Sequence, residues 1–237
     1  YGAPLAARAH ALGARVIAPV ERSGQAELSL EYDDALPRLV DTLQADLLKV
    51  LLRYNAGGDA ERNARQAETL ARLSDWCLTQ GVPLMAEVLV PMTDAQRVDY
   101  ADRPQEWEQR RRPELMVTAM RQLRAAGADP VMWKVEGLDD PGAAREVVEV
   151  ARAEGRPDVS CVVLGRGESL ARVEDWLRVG AATDGYVGFA VGRSLWNDEA
   201  LAVHTEALTR AAAAESSRDK YVQLVNTWRT AQGSRDR

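Results

Sequence analysis

The 237 residues are 46% hydrophobic with a net charge of −6, enough apolar material for a globular core and no basic stripe to draw in nucleic acid. No apolar run nears the roughly 18 residues that suggest a membrane span. The N-terminus lacks a charged-then-apolar leader pattern, and Cys77 and Cys161 stand too far apart for a disulfide framework. These features predict a cytoplasmic protein with two reduced core cysteines, no membrane contact and no nucleic-acid partner.

Along the chain, Pro4 to Gly13 places alanine and leucine at helical spacing and closes on glycine, and Ala14 to Val20 then reads as a strand. The unit recurs. Helices over 34–44, 60–80, 114–126, 142–154 and 168–179 lead to strands over 46–54, 82–90, 131–136, 159–164 and 185–191. Gly13, Gly81, Gly127, Gly155 and Gly180 follow the helices as left-handed caps, while Asp59 and Pro113 suit two helix starts. Such alternation predicts parallel strands with crossover helices. A doubly wound nucleotide-binding fold would want a G-x-G-x-x-G turn after its first strand, where this chain has Glu21-Arg22-Ser23-Gly24-Gln25.

A (β/α)8 TIM barrel is therefore the predicted architecture, as a single domain over 1–237, with barrel units to about 197 and C-terminal helices from 198. Only six strands are counted, so the first two strands of such a barrel are expected to be missing from this chain. The connection from Pro91 to Arg112 carries Tyr100, Trp107 and Arg110-Arg111-Arg112. It would lie over the active-site face of a barrel, either as a lid delivering an arginine or as a solvated charge run before a helix. In the C-terminal helices, Leu201, Leu208, Tyr221, Leu224 and Trp228 are the expected packing residues.

The chemistry points to lysine. Of 30 basic residues only Lys49, Lys134 and Lys220 are lysines, and two of them interrupt apolar runs, Leu47-Leu48-Lys49-Val50-Leu51-Leu52 and Met132-Trp133-Lys134-Val135-Glu136-Gly137. An ammonium in such a run is costly unless paired or neutralised, and arginine cannot stand in where a deprotonated amine must act. Period-two alternation turns Met132, Lys134 and Glu136 to one face and Trp133 and Val135 to the other. An amine in a closed site beside a second cation can attack a carbonyl to form a Schiff base. Alternate strands of a barrel share a layer, so Lys49 is the expected second cation, with Glu87 from the intervening strand as a proton relay. Buried lysine–glutamate pairs that merely hold the strands together are the competing expectation. Glu21, Arg53, Glu136 and Arg193 join these residues as polar groups near strand ends.

His10 and His204 form no cluster, so no metal is demanded, and no G-x-S-x-G elbow, P-loop or other cofactor motif is present. The last two strands end in Gly165-Arg166-Gly167 and Gly192-Arg193-Ser194. Phosphates in barrels sit at the loops after the seventh and eighth strands, and these glycine turns let backbone N–H groups converge on a dianion. A phosphate between Gly165–Gly167 and Gly192–Ser194, with Arg193 as a charged partner, is thus expected.

In combination, Pro19-Val20-Glu21-Arg22-Ser23-Gly24, Lys49-Val50-Leu51-Leu52-Arg53-Tyr54, Glu87, Trp133-Lys134-Val135-Glu136-Gly137 and Gly188-Phe189-Ala190-Val191-Gly192-Arg193 resemble the class I aldolases related to tagatose-1,6-bisphosphate aldolase. The nearer likeness is to the 2-deoxy-5-keto-gluconate 6-phosphate aldolase-like branch, which also occurs fused behind the sugar kinase of inositol catabolism. The resemblance covers about residues 1–230. It implies that Lys134 forms the Schiff base, that Lys49 and Glu87 assist, and that a phosphorylated keto-sugar or keto-sugar acid is cleaved or formed with release of dihydroxyacetone phosphate and no cofactor. Tagatose- or fructose-bisphosphate and sulfofructose phosphate are alternative substrates, a non-catalytic ligand-binding barrel is an alternative role, and a homo-oligomer is left open. Gly165-Arg166-Gly167 stands where the tagatose enzymes have a serine-containing turn, and Arg22 replaces a lysine. Members of the family begin with two further strands, the first bearing an aspartate, and Tyr1-Gly2 resembles the end of the second.

Overall fold

A computed structural model describes residues 2–235, so Tyr1 lies outside the described residues. The fold is α/β. It divides between Trp133 and Lys134 into two compact units.

The first unit opens on α1 (Gly2–Ala11), β1 (Ile17–Pro19), α2 (Leu36–Leu43), β2 (Leu47–Arg53), α3 (Ala60–Gln80) and β3 (Leu84–Leu89). Gly2 is therefore helical rather than the end of a strand. The strand β1 is shorter than the apolar run suggests because the Val16 N–H is taken by the Asp46 carboxylate at 2.7 Å, and Pro19 has no N–H to extend the ladder. Parallel registers pair Pro19 with Lys49 and Lys49 with Met85, so β1, β2 and β3 lie side by side in chain order. Along β2, Leu48, Val50 and Leu52 are fully buried, while Lys49, Leu51 and Arg53 share the more open face. The helix α3 starts as the sequence predicts, with the Asp59 side chain accepting from the Arg62 N–H at 3.0 Å, and ends on left-handed Gly81.

The connection after β3 departs from a simple loop. It folds into α4 (Asp94–Asp99), a single turn α5 (Pro104–Glu106) and a π turn (Trp107–Arg111) that runs into α6 (Arg112–Ala125). A reciprocal capping box between Thr93 and Gln96 starts α4. Neither expectation for its arginines holds throughout. Arg110 and Arg111 pair with Glu114 at 3.3 and 3.2 Å, whereas Arg112 is wholly buried and paired with Glu108 at 3.0 Å. The run thus contains one core residue, because the wide turn carries Arg112 to the inner side of α6 beside Leu115 and Met116.

The strand β4 (Met132–Glu136) spans the division between the units. In the first, the Val131 N–H donates to the Leu84 carbonyl at 3.0 Å; in the second, the Gly137 N–H donates to the Leu164 carbonyl at 3.2 Å. The second unit continues through α7 (Pro141–Arg152), β5 (Ser160–Leu164), α8 (Leu170–Ala182), β6 (Tyr186–Ala190), α9 (Arg193–His204) and α10 (Arg210–Arg235), with β5 and β6 parallel. Its core gathers Val135, Val147, Cys161, Val173, Trp176 and Leu177. Among the described residues there are six strands, in the predicted helix–strand order, which is two fewer than a (β/α)8 barrel contains.

Two local expectations are corrected. Gly180 is not a cap but an interior residue of α8, where a side chain would meet Val163 at 2.8 Å; it lets α8 sit close on β5. Of the residues expected to pack the C-terminal helices, Leu224 and Trp228 are buried, but Leu201, Leu208 and Tyr221 are exposed, the Tyr221 ring lying 6.0 Å from that of Phe189. Burial of Cys77 and Cys161, both free, pushes each thiol up to about 12.

Candidate functional site

In the first unit the chain leaves β1 through Val20, whose N–H donates to the Lys49 carbonyl at 3.0 Å, and folds back so that Glu21 bridges Leu30 in antiparallel sense. That turn aims the Glu21 carboxylate at β2. Lys49 Nζ lies 2.5 Å from Glu21 Oε1 and 3.2 Å from Glu87 Oε2, with side-chain exposures of 17%, 11% and 6% for Lys49, Glu21 and Glu87. The two carboxylates compensate the lost hydration of an ammonium so enclosed, and removing the lysine would strand both of them. Chemically, a carboxylate sharing a lysine with a second carboxylate can accept and return a proton.

In the second unit Lys134 is half-buried between fully buried Trp133, which belongs to the first unit's core, and Val135. Glu136, two residues on along the same strand, is buried and pairs with Arg166 Nε at 3.1 Å. Arg166 adopts φ 54°, a left-handed conformation unfavourable for a side-chain-bearing residue, and Gly167 follows at φ 80°. The turn after β5 is thereby bent so that the Arg166 carbonyl accepts from Arg193 Nη2 at 3.3 Å and the Arg193 guanidinium covers Gly167. Gly165 is buried against Val191, where a Cβ would come within 3.0 Å. Gly192 starts α9 without a side-chain cap, leaving the first N–H groups of that helix open to an acceptor. The structure therefore brings together Glu136, Gly165, Gly167, Gly192 and Arg193. Arg193 itself is exposed.

Gly137, closing the lysine strand, has a packing reason. A side chain there would overlap the indole of Trp176, which is fixed by its N–H bond to Asp139 at 2.9 Å and by Arg172, 4.9 Å above the ring and itself bonded to Asp139 at 2.8 Å.

Arg53, at the end of β2, donates from Nη1 to the Gln25 carbonyl at 2.8 Å, and its own carbonyl accepts from Gln66. It lines a cavity of about 550 Å³ with Asn55, Gly57, Gly58, Arg62 and Arg97. Sequence reasoning singles out Arg53 but misses the rest of this wall. The available clue is Gly57-Gly58-Asp59, a glycine turn closed by a helix cap directly after a strand, the same grammar as Gly165 to Gly167. It also quotes Arg166 only as part of a turn, missing its pairing with Glu136.

Comparison with known proteins decides the family. Residues 1–232 match the family described as "Uncharacterized protein conserved in bacteria (DUF2090)". The chain belongs to that family. No curated protein sequence matches it. Among solved structures, the fold is similar to that of a fructose-bisphosphate aldolase from Plasmodium falciparum, solved with TRAP and a small-molecule inhibitor (13% identity, TM-score 0.65, covering 97% of this chain and 72% of that one). It is similar also to an archaeal fructose-1,6-bisphosphate aldolase whose catalytic lysine is covalently bound to the carbinolamine intermediate (17% identity, TM-score 0.57, covering 95% and 76%). A third neighbour is a Schiff-base-forming fructose-1,6-bisphosphate aldolase (18% identity, TM-score 0.54, covering 89% and 72%). The likeness is one of fold. Among the described residues no helix is long and apolar enough to cross a membrane.

Proposed function

We propose that this protein is a class I aldolase that cleaves or forms a phosphorylated keto-sugar or keto-sugar acid, of the 2-deoxy-5-keto-gluconate 6-phosphate kind, through an imine on Lys134. The observation that carries the reading is a half-buried lysine on a core strand, followed two residues on by a buried, Arg166-paired glutamate at a glycine-built turn. Similarity of fold to Schiff-base-forming aldolases supports it.

In this scheme the neutral Lys134 amine adds to the ketone carbon, and loss of water gives a protonated imine. That cation accepts the electron pair of the neighbouring carbon–carbon bond as it breaks. The hydroxyl on the departing carbon gives its proton to a carboxylate, for which Glu87 is proposed, and an aldehyde leaves. Protonation of the resulting enamine on carbon and addition of water restore the amine and release dihydroxyacetone phosphate. The phosphate is assigned to the Gly165–Gly167 and Gly192–Ser194 turns, with Arg193 as a charge-assisted donor.

The test is borohydride reduction in the presence of dihydroxyacetone phosphate, followed by peptide mapping. The adduct is expected on the Lys134 peptide and absent from Lys134→Ala. An adduct on Lys49 or Lys220, with Lys134→Ala retaining full turnover, would overturn the assignment.

A further inference from the structure

One residue of the second unit holds a conformation that its type disfavours. Arg166, at φ 54°, is left-handed, a region where a Cβ is crowded and glycine sits without strain. Its neighbours are glycines for reasons of their own: Gly167 is left-handed too, at φ 80°, and Gly165 has no room for a Cβ against Val191. A long cationic side chain at the strained position is held there by what it reaches. Its Nε lies 3.1 Å from Glu136 Oε1, and its carbonyl accepts from Arg193 Nη2 at 3.3 Å.

The ion pair is enclosed. Side-chain exposure is 4% for Glu136 and 24% for Arg166, so water screens these charges poorly. Alternation along β4 puts Glu136 on the face of Lys134, about 7 Å further along the strand. A carboxylate at that range, left uncompensated, stabilises the ammonium form of a half-buried lysine and withholds its lone pair from a carbonyl carbon. A guanidinium bound to the carboxylate cancels that effect. The other acid just beyond β4, Asp139, is bonded to Arg172 and to the Trp176 N–H.

We propose that Arg166 is a positioning residue of the imine site: it binds Glu136 and compensates its charge, so that this carboxylate does not hold Lys134 as the ammonium. The left-handed turn is what brings the guanidinium to the end of β4. The proposal rests on the aldolase reading for what the amine attacks, and not for the reactivity of the amine.

The competing role for the pair is to fasten the end of β5 to that of β4, and the two roles differ in sign. If the pair only fastens, loss of either partner loosens the site and changes Lys134 in the same direction. If Arg166 compensates Glu136, the partners act oppositely. Arg166→Gln leaves an anion near the amine and lowers its reactivity, whereas Glu136→Gln leaves a cation and does not lower it.

Competitive labelling with trace acetic anhydride at neutral pH reads this without any ketone. The three lysines fall in separate peptides, and Lys220, paired with Glu199, serves as the internal reference. Labelling of Lys134 relative to Lys220 is expected to fall about tenfold in Arg166→Gln, to hold or rise in Glu136→Gln, and to recover in the double variant, where no charge is stranded. Arg166→Lys, which keeps the charge, should stay within about threefold of the parent. A fall in both single variants, or labelling in Arg166→Gln within about twofold of the parent, would overturn the proposal. If circular dichroism shows Arg166→Gln to be unfolded, Glu136→Gln decides alone, and a fall in its labelling overturns the proposal. Borohydride trapping of unphosphorylated dihydroxyacetone, which bypasses the phosphate turns, should follow the same order across the variants. Trapping on Lys134 that ignores the order would overturn the role of Arg166 in the imine reaction. The labelling order without trapping in any variant or the parent would uphold the charge compensation and sink the aldolase reading instead.

Discussion

The charged strand end of the first unit and that of the second treat their cations in opposite ways. Around Lys49, two carboxylates saturate one ammonium. At the turns after β5 and β6, Arg193 is held among the described residues only by the Arg166 carbonyl, across a glycine. A lysine is a compact point charge that one or two carboxylates satisfy, while a guanidinium bonded through one nitrogen still presents donors in a fixed fork. The first arrangement is suited to moving a proton within the protein and the second to receiving an anion from outside it. Residue type alone would not separate the two; the partners do.

The most severe test of that contrast removes a proton acceptor and leaves the cation in place. Glu87→Gln keeps the shape and leaves Lys49 paired with Glu21, so the fold should persist, with turnover lowered by about 10²- to 10⁴-fold. Steady-state kinetics on the purified variant, with circular dichroism as the folding control, decide it. Turnover within twofold of the parent would reduce the cluster to a structural pair.

On the other side, Arg193→Ala should raise KM for phosphorylated substrate by about ten- to a hundredfold, the worth of a charge-assisted contact. Trapping of unphosphorylated dihydroxyacetone on Lys134 should continue. An unchanged KM would mean that the turns serve packing alone.

A smaller effect is expected at the support beneath the second arrangement. Gly137→Ala forces a methyl into the Trp176 indole, which Asp139 and Arg172 hold in place, so the exit of β4 or the start of α8 must shift. About 1–3 kcal/mol of stability should be lost, read from the urea midpoint. An unchanged midpoint would show that the ring moves freely.

Much of this was legible in the sequence because the signals are local. Helix–strand periodicity located all six strands, and the Asp59 cap and the positive-φ glycines at 13, 81, 127 and 155 follow from short-range rules. Gly180 misled because a glycine near a helix end can serve as a cap or permit close packing, and only the position of Val163 distinguishes them. Arg112 misled for a similar reason: three consecutive arginines read as one solvated run, yet a π turn buries the third against Glu108. The rarity of lysine pointed to Lys49, but its two carboxylate partners arrive from Glu21 and Glu87, 28 and 38 positions away in the sequence, and register decides such meetings. The Arg53 cavity was half legible, since Gly57-Gly58-Asp59 announces a turn but not the Asn55 bonds that shape it.

The smallest expected effect comes from a pair that mimics the lysine cluster without its setting. Lys220 on α10 lies 2.5 Å from Glu199 on α9, as close as Lys49 lies to Glu21, and Ser216 also donates to Glu199 at 2.8 Å. Here the lysine is partly solvated and, among the described residues, no second carboxylate is in ion-pair contact with it, so the pair should fasten two helices and do no chemistry. Lys220→Met is expected to leave kcat unchanged and to cost below about 1 kcal/mol in stability, the usual worth of a pair with one partner in water. The hydrogen bond from Lys220, aided by Ser216, holds the Glu199 carboxyl below its ordinary value. A carboxyl whose folded pKa is depressed contributes stability that is present above its unfolded pKa and lost as pH falls through the folded one. The hydrogen-exchange protection factors of the α10 amides, corrected for the intrinsic rate at each pH, should therefore fall as the pH drops below the ordinary glutamate range, and Glu199→Gln should remove that dependence. If Lys220→Met instead lowered kcat as far as Glu87→Gln does, the distinction between enclosed and solvated lysine–glutamate pairs would not describe this protein.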